Sequence, residues 1–249
     1  MKITSITDTK CQCGEGPLWH DGERKLYYID IPTGALYRYD PVTSACETVF
    51  TGPMLGGFTI QEDGALLLFH EKGMIRRWKD GVFTTVIEDI PDERETRFND
   101  VAADPEGRVF CGTMPAKGRA GRLYRLDPDR TLTIVLEGIG CSNGIGYSPD
   151  CATMYYVDST KQEVYAFDYD RATGAITNQR LFAGIAAPGV LPDGLTVDAE
   201  GYIWVALWDG GGVIRYAPDG REDRRIALPC KKASSLVFGG ADLTDLYIT

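Results

Sequence analysis

Oxygen-bearing side chains recur in this chain at one fixed offset. Counting back five residues from equivalent turn positions leads from His20 to Glu15, from Asp104 to Asn99, from Ser148 to Asn143 and from Asp198 to Asp193. The same step leads from Gln61 to Gly56 and from Gly239 to Ser234. Glycine follows three of these residues directly, as Glu15-Gly16, Asn143-Gly144 and Asp193-Gly194. Any one such pair reads most simply as a turn. Turn chemistry alone does not demand a common register, however. Carboxylates and amides gathered in a confined place are costly unless something satisfies them, and a divalent cation would. An all-oxygen set suits the hard cations Ca²⁺, Mg²⁺ and Mn²⁺ and leaves Zn²⁺ and Fe²⁺ open. Few protein ligands leave positions for water and substrate, which is the arrangement of a catalytic centre rather than a structural one. Other chemistries have less to stand on. The two histidines, His20 and His70, exclude a His-rich zinc site and speak against a Ser-His-Asp triad, and neither is given a role.

The elements that must position these residues are repeats. Residues 21–40 read DGERKLYYIDIPTGALYRYD, residues 62–79 EDGALLLFHEKGMIRRWK, and residues 104–127 DPEGRVFCGTMPAKGRAGRLYRLD. Residues 149–168 and 198–217 carry the same phrase, and 234–249, SSLVFGGADLTDLYIT, are a cut-down copy. The phrase is an acidic turn with glycine, a short apolar strand, a polar gap and an alternating strand. It returns roughly every 40 to 48 residues, the period of a four-stranded propeller blade. The expectation is an all-β, six-bladed β-propeller with four-stranded antiparallel blades, in a single domain over residues 1–249. A β-sandwich or a pair of barrels is the second choice, but neither explains the repeat. In a propeller the first strand of each blade lines the central channel, so the shared register would converge at one end of it. Trp204 and Trp208 fall in the fifth copy and are expected in the blade core, with Trp208 also placed to floor a pocket.

Composition narrows the partners. The chain has 249 residues, a formal net charge of −10 and 43% hydrophobic residues, so a large core can form. The acidic balance argues against a nucleic-acid surface. No apolar run is long enough to cross a membrane, and the N-terminus lacks the apolar stretch of a signal peptide. Seven scattered cysteines are not a disulfide framework and fit a reducing compartment, so a cytoplasmic protein is expected. Monomer and dimer both stay open.

Four segments resemble the SMP-30/gluconolactonase/regucalcin family, and within it bacterial sugar lactonases of the xylonolactonase kind. They are CGEGPLW at 13–19, RFNDVAADPEGRVFCGTM at 97–114, SNGIGYSPD at 142–150 and PDGLTVDAEGYIWVALWDGGGVIRYAPDG at 192–220. The resemblance implies a six-bladed propeller that hydrolyses sugar lactones to aldonic acids with one divalent ion, Ca²⁺, Zn²⁺, Mn²⁺, Mg²⁺ or Fe²⁺. It places the metal ligands on Glu15, Asn143 and Asp193, the general base on Asp193 and substrate contacts on Arg97 and Asn99. Two departures stand out. Lys117, in the loop at 114–121, occupies the place of a substrate-contacting residue that is acidic in animal relatives; the loop is expected to be mobile and to reach over the channel mouth. The chain also stops at Thr249, where the family adds an outer strand, so ring closure is expected to rest on Ile3 to Thr7 unless the protein continues. Hydrolysis of organophosphates or aryl esters at the same site, and a metal-binding propeller without turnover, are the competing functions.

Overall fold

A computed structural model describes residues 2–249. Its strands are the short apolar runs of the repeat, and the acidic turns join them. At Asp104 the main chain closes on itself, with the Asp104 amide on the Arg108 carbonyl at 2.8 Å and the Gly107 amide on the Asp104 carbonyl at 3.1 Å. The Asp104 carboxylate accepts from the Glu106 and Arg108 amides, both at 2.8 Å. Gly107 takes φ +80°, a left-handed backbone that a side chain would strain. Asp198 repeats the arrangement, accepting from the amides of Glu200 and Tyr202. The Asp/Gly phrase is therefore a self-capped reversal between the first two strands of a blade.

Five sheets have four antiparallel strands in sequence order. They are β1 (Gly14–His20), β2 (Lys25–Asp30), β3 (Ala35–Asp40), β4 (Ala45–Phe50); β5 (Leu55–Ile60), β6 (Leu66–His70), β7 (Ile75–Lys79), β8 (Val82–Ile87); and β9 (Phe98–Ala103), β10 (Val109–Thr113), β11 (Gly121–Leu126), β12 (Leu132–Ile139). Then follow β13 (Ser142–Tyr147), β14 (Thr153–Asp158), β15 (Glu163–Asp170), β16 (Ala175–Gly184); and β17 (Leu191–Val197), β18 (Ile203–Trp208), β19 (Gly212–Tyr216), β20 (Glu222–Ala227). The last sheet has only β21 (Leu236–Gly239) and β22 (Asp245–Ile248).

The propeller thus has five blades, and the expectation of six four-stranded blades is overturned. The sixth copy of the repeat supplies backbone for one hairpin, and Ile3–Thr7, which was to complete it, forms no strand. The hairpin nevertheless sits in the ring. First strands touch in the order β1, β5, β9, β13, β17, β21 and back to β1. Ser234 joins the flanks: its carbonyl accepts from the Gly194 amide at 2.7 Å, and its hydroxyl donates to the Gly14 carbonyl at 2.5 Å. Tyr247 stacks on Trp19 with ring centroids 5.9 Å apart.

The hydrophobic core is divided among the blade interfaces. Leu36, Leu55, Phe58 and Leu68 fill the first, and Val157, Val164, Val205 and Ile214 the one between the fourth and fifth blades. Trp204 packs with Val213 and Leu236 against the hairpin, in strand β18 as blade core. Each fully buried Leu, Ile or Phe contributes about 1.5–3 kcal/mol. Blade-to-blade packing is therefore what holds the inner strands at one level.

Candidate active site

Glu15, Asn99 and Asn143 are the second residues of β1, β9 and β13, Asp193 is the third of β17, and Ser234 lies just before β21. All five are buried. The glycine-following pairs are not turns. Strand pairing slips between Glu15 and Leu18, between Ser142 and Ile145, and between Pro192 and Leu195. Each pair sits in a β-bulge, a device that re-aims a side chain without ending the strand. Gly56 holds the same level on β5 but bears no side chain for a steric reason. A Cβ there would stand 2.0 Å from the Phe98 carbonyl oxygen.

Hydrogen bonds join three of the expected residues. Arg97 Nη1 donates to Asn99 Oδ1 at 2.5 Å and to the Phe98 carbonyl at 2.9 Å. Asn99 Nδ2 donates to Asn143 Oδ1 at 2.8 Å and to the Ser142 carbonyl at 2.7 Å. Asn143 Nδ2 donates to Ser159 Oγ at 2.7 Å. The Glu15 carboxylate accepts from the Gly16 amide at 2.9 Å.

The acids are arranged against electrostatic preference. Burial holds Glu15 well above the usual carboxylate range, and Asp193 and Asp100 push it further. Burial likewise raises Asp193, with Asp100 adding to it and Arg97 opposing. Asp100 was missed by the register argument. Val101 pairs with Cys111 and Phe98 with Thr113, so Asn99 and Asp100 together face Gly112. At this bulge strict alternation fails, and both side chains reach the axis. Burial pushes the Asp100 carboxyl up to about 7, and Arg97 opposes the rise. The only trace in the sequence was the RFND run itself. Beside these acids, Cys13 and Cys141 are pushed up to about 12, chiefly by burial, so both stay protonated thiols.

An axial cavity of about 330 Å³ lies beyond this ring, walled by all six first strands. Asp100 lines it with Thr59, Thr196 and Ser235, whereas Glu15, Asn143 and Asp193 do not. Among the described residues no three His, Cys, Asp or Glu side chains form a metal-holding group. A cation at the ring would rest on two carboxylates and the Asn143 amide. That donor set fits a hard divalent ion, because it gathers negative charge that the Gly16 amide and Arg97 only partly oppose.

Lys117 is exposed at the tip of a tight hairpin in which Ala116 and Arg119 exchange amide–carbonyl bonds at 3.0 and 3.1 Å. The hairpin is anchored through Arg119. Arg119 Nη2 pairs with the buried Glu93 carboxylate at 2.6 Å and donates to the Asp92 carbonyl at 3.0 Å. Tyr124 also donates to Glu93, at 2.7 Å. The same anchor holds the segment leading to Arg97, since the Thr96 amide bonds the Glu93 carbonyl and the Met114 amide the Arg97 carbonyl, both at 3.0 Å.

The chain is 45% identical to the pentonolactonase of Haloferax volcanii over 251 residues, covering all of this chain and 85% of that protein. It is 34% identical to the regucalcin of Homo sapiens, covering all of this chain and 86% of the relative. Among solved structures, one described as a calcium-binding protein, the regucalcin of Agrobacterium tumefaciens, superposes with a TM-score of 0.90 at 27% identity, over 98% of this chain and 84% of that one. A luciferin-regenerating enzyme superposes with a TM-score of 0.89 at 29% identity, over 96% and 84%. Residues 13–249 match the SMP-30/Gluconolactonase/LRE-like region, and the chain belongs to that family.

Proposed function

We propose that the protein hydrolyses sugar lactones to aldonic acids at the ring of Glu15, Asn99, Asn143 and Asp193, with a divalent cation bound by Glu15, Asn143 and Asp193. The observation that carries this reading is the convergence of two buried, mutually repelling carboxylates and an amide oxygen beside the Arg97–Asn99 pair. The pentonolactonase, related over the full chain, supports the lactone class, and the calcium-binding regucalcin supports a divalent ion.

When bound, the cation supplies Lewis-acid polarisation of the lactone carbonyl and stabilises the charge that develops on its oxygen. The protein's own groups do the rest. Arg97 has donors left over for the substrate's ring oxygen and hydroxyls, and its bond to Asn99 fixes the direction of the guanidinium. Asp193 accepts the proton of the attacking water. Water adds to the carbonyl carbon, the ring C–O bond breaks, and the departing oxygen takes a proton, leaving the open acid. Lys117 on its hairpin tip is proposed to donate to a substrate hydroxyl or to the product carboxylate. Seven free cysteines suit a reducing, cytoplasmic setting.

The test is a pH-indicator screen of pentono- and hexonolactones with Ca²⁺, Mg²⁺, Mn²⁺, Zn²⁺ and Fe²⁺, each against a no-enzyme control. Acid release above that control is expected with at least one pair. No such rate across the panel refutes the lactonase reading, and turnover of aryl esters or organophosphates alone would assign the site to the competing hydrolase.

A further inference from the structure

An amide can serve a cation only through its oxygen, so whatever fixes the Asn143 amide decides whether that position offers a donor or an obstructing NH₂ group. Three contacts fix it. Asn99 Nδ2 donates to its oxygen at 2.8 Å, and its own Nδ2 donates to Ser159 Oγ at 2.7 Å and, as a long contact to a weak acceptor, to Cys141 Sγ at 3.8 Å. We infer that the Ser159 hydroxyl is a positioning residue for the cation: it holds Asn143 Nδ2 and so keeps Asn143 Oδ1 turned to the channel axis. This rests on the metal assignment proposed above.

The corner that carries Ser159 is rigid. The Ser159 amide bonds the Cys141 carbonyl at 3.1 Å, and its carbonyl accepts from the Gln162 amide at 3.0 Å. The preceding Asp158 carboxylate accepts from the amides of Gly140 and Cys141, both at 3.0 Å. Ser159 itself is buried. Rigidity alone does not require a serine. In the first blade the same corner is Asp30-Ile31, with the Asp30 carboxylate on the Cys13 amide at 2.8 Å and the Ile31 amide on the Cys13 carbonyl at 3.1 Å. There the ring residue is Glu15, whose two equivalent oxygens need no flip to be set, and the corner side chain is apolar. The third blade has an amide in its ring too, Asn99, with Met114 at the equivalent corner, but there Nδ2 is already held by the Ser142 carbonyl and Asn143 Oδ1. Asn143 Nδ2 has no such ring neighbour, and a strong acceptor for it is what the Ser159 hydroxyl supplies.

Calorimetric titration of Mn²⁺ into the chelator-stripped protein tests this, with Ser159→Ala, Ser159→Cys and Ser159→Thr beside the parent and Asn143→Ala. Cysteine keeps the shape with a weak acceptor, and threonine keeps the hydroxyl. The Ala and Cys variants should bind Mn²⁺ roughly 10- to 100-fold more weakly than the parent, with Ser159→Thr near the parent. Saturating Mn²⁺ should restore kcat in the Ala variant. Parent-like affinity in both Ala and Cys variants overturns the inference while leaving the metal reading intact. Equal weakening by Ala, Cys and Thr assigns the effect to packing and overturns it as well. If the parent binds no Mn²⁺, or Asn143→Ala binds it as the parent does, the metal reading itself fails and the inference with it.

Discussion

Asp100 should make the metal-free protein less stable as pH rises, and Asp100→Asn should remove much of that loss. A carboxyl that holds its proton more tightly in the folded chain than in the unfolded one favours folding less and less as pH climbs from the unfolded value to the folded one. For Asp100 that window runs from the usual 3.8 to about 7. At about 1.4 kcal/mol per pH unit, the full penalty is roughly 4 kcal/mol. Burial is the cause of that penalty, and a buried Asn amide keeps part of the desolvation cost, so the substitution recovers only part of it, roughly 2 kcal/mol at neutral pH. In a chain of this length that is a rise in Tm of about 4–8 °C. The assay is thermal unfolding of chelator-treated protein from pH 4.5 to 7.5, parent against Asp100→Asn. The parent's Tm should fall toward neutral pH more steeply than the variant's, and the two should converge near pH 4.5. Excess divalent ion should narrow the gap at pH 7.5, because the bound cation stabilises the parent by mass action. Parallel pH profiles with no gain from Asp100→Asn would refute the electrostatic picture of the ring.

The other expectations follow from single contacts. Glu15→Gln, Asn143→Ala and Asp193→Asn should each weaken divalent binding and severely lower lactone hydrolysis; calorimetry showing parent-like binding in all three would mean the site is elsewhere. Lys117→Ala should raise KM several-fold with kcat nearly held, since an exposed hairpin tip would bind ground and transition state alike; an unchanged KM makes Lys117 a solvent-facing residue. Glu93→Ala leaves Arg119 and Tyr124 without their shared acceptor and should cost roughly 3 kcal/mol, read as a lowered urea midpoint; a midpoint within error of the parent's would show the anchor to be slack.

The blades were legible because one device is written out again and again. An Asp followed within three residues by Gly, as at Asp104–Gly107 and Asp198–Gly201, folds on its own backbone bonds and needs no distant partner. The apolar runs between such turns then had to be strands. The number of blades was not legible in the same way. The copy at 234–249 has the apolar runs of the others, but strands count as a blade only when hydrogen-bonded neighbours are present, and β22 pairs with β21 alone. Repeat counting sees the runs and cannot see the pairing.

The ring shows the same division more sharply. Glu15, Asn99, Asn143 and Asp193 were found by a register argument, which works where every strand alternates alike. Bulges occur in equivalent places here, so the offset survives although the alternation does not. Asp100 was lost for the same reason, because the bulge opposite Gly112 turns two consecutive side chains inward where alternation allows one. Ser159 was out of reach altogether. It lies one residue past the end of β14, sixteen residues from its partner Asn143, and no period in the chain marks it. The two vacant members of the register complete the picture. Gly56 can bear no side chain against the Phe98 carbonyl, and the Ser234 hydroxyl is turned away to the Gly14 carbonyl. The donors therefore come from four first strands, and the β5 and β21 positions of the ring are left without a donor to the axis. A cation held by Glu15, Asn143 and Asp193 would supply Lewis-acid polarisation to a lactone carbonyl presented by Arg97 and Asn99.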